Sequence, residues 1–152
     1  MAFPNRLVVF TLDGCRYGLH LAAVERVVRI VDITPLPKAP AIVSGIVNVQ
    51  GRVIPVVDVR SRFRLPEREP TLSDQLVIAR TSRRPVALVA DRVTDVVDVP
   101  DQDVAAAETI LPGMQYVEGV LKLADGMILI HDLGSFLSLE EAVSLDNAME
   151  NA

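Results

Sequence analysis

One pattern of strand, glycine turn, apolar strand and closing aspartate occurs twice in this chain, and any fold must accommodate both copies. The first, Gly45 to Val59, reads Gly-Ile-Val-Asn-Val-Gln-Gly-Arg-Val-Ile-Pro-Val-Val-Asp-Val. The second, Gly119 to Leu133, reads Gly-Val-Leu-Lys-Leu-Ala-Asp-Gly-Met-Ile-Leu-Ile-His-Asp-Leu. The segments before them match as well. Leu7 to Asp13 falls on Leu76 to Ser82, and Leu19 to Ile30 falls on Leu88 to Val99, so that Val24, Val27 and Val28 align with Val93, Val96 and Val97. Blocks recurring in one order indicate duplication rather than chance likeness among valine-rich strands. The expectation is a single domain over 1–152 made of two related β units, about 7–65 and 74–133, with the charged, proline-bearing stretch 64–73 as the loop between them.

Within the first copy, Ile46 to Val49 and Val53 to Val57 are β-branched runs separated by Gln50-Gly51-Arg52. Gly51 takes a positive φ at little cost, so the stretch reads as a tight hairpin. Pro55 cannot donate to a ladder, which predicts an edge strand or a strand with that position on a free side. Asp58 reads as the N-cap of a helical turn over Arg60 to Phe63, and Asp132 closes the second copy in the same way. The alternative role for Asp58, a catalytic carboxylate, has no second acid at a useful spacing.

Composition supports a β fold: half of the residues are hydrophobic and 24 are valine. A chain of 152 residues buries roughly 70% of its unfolded surface, enough for a core without staples. Cys15 is the single cysteine, which excludes an intrachain disulfide and fits a reducing cytoplasm. The N-terminus has no signal-peptide core, and no apolar run approaches the roughly 18 residues of a membrane span, so direct membrane insertion is not expected. A net charge of −5, 4% aromatics and no tryptophan argue against a nucleic-acid partner.

The remaining expectations follow the chain. Leu7 to Leu12 is a strand that Asp13-Gly14 turns into Arg16 to Leu21, and Arg26 to Ile33 is the next. Pro35, Pro37 and Pro40 make Thr34 to Pro40 a stiff connector, and Ala41 to Ser44 is read as one helical turn. Leu76 to Arg80, Val86 to Ala90 and Val93 to Val99 are strands of the second unit, with Asp101 to Pro112 read as polar, then helical or irregular. At the C-terminus, Ser138 and Glu141 have capping-box spacing, and Leu139, Ala142, Val143 and Met149 recur at helical spacing. That predicts a helix over 138–149 packed on the β units, with a partner-binding helix as the alternative.

Catalytic signatures are missing. His20 and His131 stand at alternating strand positions with no neighbouring Cys, His or carboxylate at metal-ligand spacing, so no metal is expected. No nucleophile elbow and no phosphate-cradling glycine loop occurs, which gives no catalytic residue and no cofactor. The arginines of the middle stretch, Arg60 to Arg84, are interrupted by Glu67, Glu69 and Asp74 and read as a solvated face, or as a patch for an acidic protein.

The Gly45 to Val59 stretch resembles the Gly-hydrophobic-hydrophobic-Asn-hydrophobic-Arg-Gly…Pro-hydrophobic-hydrophobic-Asp signature of the CheW family of bacterial chemotaxis coupling proteins. The likeness runs from about Leu7 to Met149 and includes Tyr17-Gly18, Thr34-Pro35 and Pro37. It implies a fold of two pseudo-symmetric five-stranded SH3-like β-barrels. It also implies a non-enzymatic, stand-alone cytoplasmic scaffold joining chemoreceptor cytoplasmic tips to the regulatory domain of a CheA-type histidine kinase. Carried onto this chain, the receptor groove would be flanked by Val24, Arg26, Gly45, Asn48, Gln50 and Gly51, with the kinase-contact residues unassigned. Of these, Gly45 and Gly51 also read as backbone-geometry residues and Val24 as core. One departure stands out. The family usually places Arg before the hairpin glycine and often an acidic residue near the start of the third strand, where this chain has Gln50 and Arg26. Gln50 can accept a hydrogen bond from Arg26 without the full charge of a carboxylate. Either the pair has swapped roles with coupling retained, or the chain is a divergent module serving a non-standard receptor or another two-component pathway.

Overall fold

The computed structural model describes residues 5–99, 104–106, 116–135 and 137–150. Eleven strands carry almost all of the regular structure among them. They are β1 (Asn5–Leu12), β2 (Cys15–His20), β3 (Val24–Arg29), β4 (Val43–Val49), β5 (Arg52–Val57), β6 (Gln75–Arg80), β7 (Pro85–Ala90), β8 (Arg92–Val99), β9 (Val104–Ala106), β10 (Val117–Leu123) and β11 (Gly126–His131). Among the described residues two α-helices join them, α1 (Val59–Arg62) and α2 (Leu139–Glu150). No helix is long and apolar enough to cross a membrane among the described residues.

The strands form two sheets, one in the order β8-β1-β2-β11-β10-β9 and one in the order β3-β6-β7-β5-β4. The duplication is visible in these orders. β1 and β6, β2 and β7, β3 and β8, and the hairpins β4–β5 and β10–β11 hold equivalent places, and Thr34 bridges to Ile46 beyond β4 as β9 does beyond β10. The sheets do not divide where the linker-like stretch 64–73 suggested. The β1–β2 hairpin of the first half pairs with β8 and, in parallel, with β11, while the β6–β7 hairpin of the second half pairs with β3 and, in parallel, with β5. Each half therefore gives its opening hairpin to the sheet completed by the other.

Packing explains why this exchange holds. Leu7, Val9, Val99, Leu121, Ile128 and Ile130 form one apolar interior, and Val47, Val49, Ile54, Val56, Leu76, Ile78 and Ala87 form another. A third cluster lies between the sheets and joins Phe10, Leu12, Tyr17 and Leu19 to Val57, Val77, Leu88, Leu133 and Leu145. Strands β1 and β6 are thus covered on both faces, which is why they read as continuous apolar runs rather than alternating ones. A row of rings crosses the same layer: Phe10 on Tyr17, Tyr17 on Phe63 with centroids 4.6 Å apart, and Phe63 edge-on to His131 at 5.1 Å.

Several local expectations need correction. β3 starts at Val24 and stops at Arg29, short of Ile33, and 41–44 holds a turn that leads into β4 instead of a helical turn. Val104–Ala106 is a strand, while most of Asp101 to Pro112 lies outside the described residues. β5 is no edge: β4 flanks it on one side and β7 on the other, and Pro55 lies just outside the two residues, Val56 and Val57, that pair with β7. In α2 the buried face is Ala142, Leu145 and Ala148, whereas Leu139 and Val143 of the expected stripe are exposed. Glu141 and Ser138 exchange the two capping-box bonds, and Glu141 also accepts from Arg62, which ties α2 to α1.

Two predictions follow from the interleaving and the shared layer. Separately produced fragments 1–65 and 74–152 should each give no cooperative urea transition, and mixing them should restore one, because each half lacks the opening hairpin of its own sheet. A fragment that melts cooperatively by itself would contradict the exchange. His131 is buried, and burial pushes its imidazole down to about 4 against the opposing pull of Asp132. The unfolded chain then binds the proton first, so this stability is complete above about pH 6.5 and is lost as pH falls toward 4. Between pH 6.5 and 4.5 the parent should lose about 2 kcal/mol more than His131→Gln in urea titrations; equal slopes would show that His131 does not carry the effect.

Candidate functional site

The tip of the β4–β5 hairpin, the start of β3 and the end of β6 meet at one end of the second barrel. Gln50 and Gly51 both take positive φ, 52° and 85°, the tight turn that matches the twist of paired strands. Asn48 Oδ1 fixes this turn by accepting the Gly51 N–H at 2.9 Å. On β3 the pairing with β6 slips between Val24 and Arg26, which makes Glu25 the extra residue of a bulge. The bulge and the hairpin tip together build a polar cluster.

Arg26 Nη1 donates to Gln50 Oε1 at 2.5 Å. Arg52 Nη1 donates to Glu25 Oε2 at 3.0 Å, and Arg80 donates to Glu25 Oε1 from Nε at 3.2 Å and Nη2 at 2.8 Å. These bonds, Arg80 first and Arg52 next, hold the Glu25 carboxyl below its ordinary range and keep it ionised at neutral pH. The structure thus brings Arg26, Asn48, Gln50 and Gly51 to one place and adds Glu25 and Arg52, together with Arg80 from the arginines of the middle stretch. A carboxylate and a guanidinium do meet here, Glu25 and Arg52, one and two residues from positions 26 and 50. A bulge is what brings them together, and nothing in the local sequence marks one.

Val24 and Gly45 are placed differently. Val24 packs half-buried against the layer between the sheets. Gly45 is buried toward the other end of β4, at about 3.3 Å per residue some 17 Å from the turn. A Cβ there would sit 2.3 Å from the Thr34 carbonyl oxygen, the atom that accepts the Ile46 N–H at 2.7 Å. Gly45 lets the proline-rich connector lie against β4. As for the caps, Asp58 Oδ1 accepts the Ser61 N–H at 3.2 Å, and Asp132 stands just before the single turn Leu133–Ser135 with its own N–H on the Tyr116 carbonyl.

A cavity of about 790 Å³ opens near Asp58, at the opposite end of this barrel, lined by Ile33, Val57, Arg60, Leu65, Arg68 and Asp74 among others. Two of its arginines are engaged by carboxylates in and beside it. Buried Arg60 donates to Asp13 and to Asp91, both at 2.7 Å, and Arg68 donates to Asp74 at 2.9 Å and to Asp91. Burial alone would raise the Asp91 carboxyl, but the bonds from Arg60, the Asp13 N–H and Arg68 outweigh it and lower it. Burial likewise opposes the charge on Arg60, and Asp91 and Asp13 outweigh that too. The network ties the β1–β2 turn to α1 and to the β7–β8 junction, which is a structural task.

Fold and polar cluster together describe a double-barrel β protein with a charged, exposed end. A family model of the CheW-like domain matches residues 6–142, and the chain belongs to that family. Among relatives, it is 31% identical over 139 residues to the chemotaxis protein CheW of Rhizobium meliloti, covering 90% of each chain. It is 28% identical over 148 residues to that of Treponema pallidum, covering 93% of this chain and 87% of the other. The solved structure of the scaffolding protein TtCheW from Thermoanaerobacter tengcongensis superposes with a TM-score of 0.81 at 29% identity, over 93% of this chain and 92% of that one. The two sheets are the SH3-like β-barrels of this family.

Because the Thr34 carbonyl fills the space a side chain at 45 would need, Gly45→Ala should lower the melting temperature by about 10 °C. A midpoint within about 2 °C of the parent would show that the connector yields at little cost.

Proposed function

We propose that this chain is a non-enzymatic cytoplasmic adaptor of chemotaxis signalling, which joins the cytoplasmic tips of chemoreceptors to the regulatory domain of a CheA-type histidine kinase. The observation that carries this reading is the likeness to CheW proteins, one of them described as a scaffold, over 90% of the chain in sequence and 93% in three dimensions. The geometry suits the task. Two barrels locked by a common apolar layer make a stiff body with several outward ends, so two partners can be held at a fixed separation without competing for one surface. The receptor is assigned to the polar end of the second barrel, around Arg26, Asn48, Gln50 and Gly51 with Glu25, Arg52 and Arg80. The kinase is left to the other faces.

The departure at positions 26 and 50 supports a second reading, a divergent module serving another receptor or pathway. The pairing of Glu25 with Arg52 and Arg80 favours retained coupling, since a carboxylate and guanidiniums still meet beside the hairpin. In pull-downs with purified receptor cytoplasmic fragments and the kinase regulatory domain, the chain should retain both, together as well as singly. Failure to retain either would refute the adaptor. Acquisition of receptor binding only by the double variant Arg26→Glu, Gln50→Arg would establish the divergent reading instead.

A further inference from the structure

At the polar end of the second barrel, three guanidiniums face a single carboxylate. Arg52 and Arg80 share the two oxygens of Glu25, while Arg26 rests on the neutral amide oxygen of Gln50. Two positive charges are left over, on a chain whose net charge is −5. This local sign is opposite to that of the whole protein, and it sits on side chains that water reaches: those of Arg80 and Arg52 are 70% and 55% exposed.

The arrangement also leaves donors in reserve. A guanidinium has five N–H groups in a fixed fork. Glu25 engages Arg80 through Nε and Nη2 and Arg52 through Nη1, which leaves the outer edges of both forks turned toward solvent. Glu25 itself is only 16% exposed, so it acts from beneath as a brace that orients the two forks. An oriented pair of guanidiniums suits bidentate acceptance of planar carboxylates, because less rotamer freedom remains to be lost on binding.

We propose that the segment seated on this end is an acidic protein segment, at least two of whose carboxylates engage Arg26, Arg52 and Arg80. The inference rests on the receptor assignment made above and specifies the chemistry of the receptor surface that this chain selects. Arg26 meets only the neutral amide oxygen of Gln50, so its charge is the discriminating element: a partner presenting a basic group here is repelled, and one presenting a carboxylate is drawn in.

The test measures the affinity of the full chain for a chemoreceptor cytoplasmic-tip fragment from the source organism, in two forms. One form is unaltered, and in the other the Asp and Glu of the tip are replaced by Asn and Gln. Variants Arg26→Gln and Arg26→Glu are compared with the parent, and circular dichroism melts check folding. Arg80→Gln serves as the second variant. The unaltered fragment should bind the parent; Arg26→Glu should weaken binding about tenfold or more, with Arg26→Gln between the two. The amide form of the fragment should bind weakly and no longer distinguish parent from variants. Parent binding that survives Arg26→Glu and Arg80→Gln within about twofold, or that is equal for both fragments, overturns this inference and leaves the receptor assignment standing. Loss confined to the kinase regulatory domain, tested alongside, overturns it as well. A parent that binds no receptor fragment overturns both the inference and the reading beneath it.

Discussion

Four pairings between strands of opposite halves hold this molecule in its shape: β1 against β8, β3 against β6 and, in parallel, β2 against β11 and β5 against β7. None of them can form within one half of the duplicated chain. Their loop-closure cost is recovered only when the hairpins β1–β2 and β6–β7 are exchanged and their second faces are covered by the shared layer. The rest follows from that exchange. β1 and β6 become interior to the whole protein, and Phe10, Tyr17, Phe63 and His131 can line up across the junction. Arg60 can reach from α1 to the turn of the other barrel.

The same constraint separates structure from recognition. Residues at the linker end of the second barrel are consumed in holding the halves together, through Arg60, Arg68, Asp13, Asp74 and Asp91. The hairpin end is free of that duty. There the backbone is set by a two-residue turn and a bulge, and the charged side chains can vary in sign without touching the core.

Much of this was legible in the residues. The twin hairpins, the strands, the Asp58 turn and the Ser138–Glu141 capping box each rest on short-range patterns that physics enforces locally. The exchange was not legible, because a repeat has the same sequence whether its hairpin stays home or crosses over. Pro55 left two readings open, and the free side is the one that holds: its strand is central, but the parallel ladder begins just beyond it. The terminal helix turned a different face inward because Leu145 and Ala148, rather than Leu139 and Val143, meet the inter-barrel layer. Of the site, Arg26 and the hairpin residues could be named only through the family resemblance, the pattern itself giving the hairpin alone. Glu25, Arg52 and Arg80 could not, since their meeting depends on a bulge and on strand order.

The central claim is that this double barrel presents its hairpin end, and not its linker end, to a receptor. Hydrogen–deuterium exchange of the full chain with and without a saturating receptor-tip fragment tests it most directly. Slowed exchange should fall on residues 24–26, 48–52 and 80, with 58–74 unchanged. A footprint centred on 58–74 around the Asp58 cavity, with the hairpin end left as in the free protein, would contradict the account.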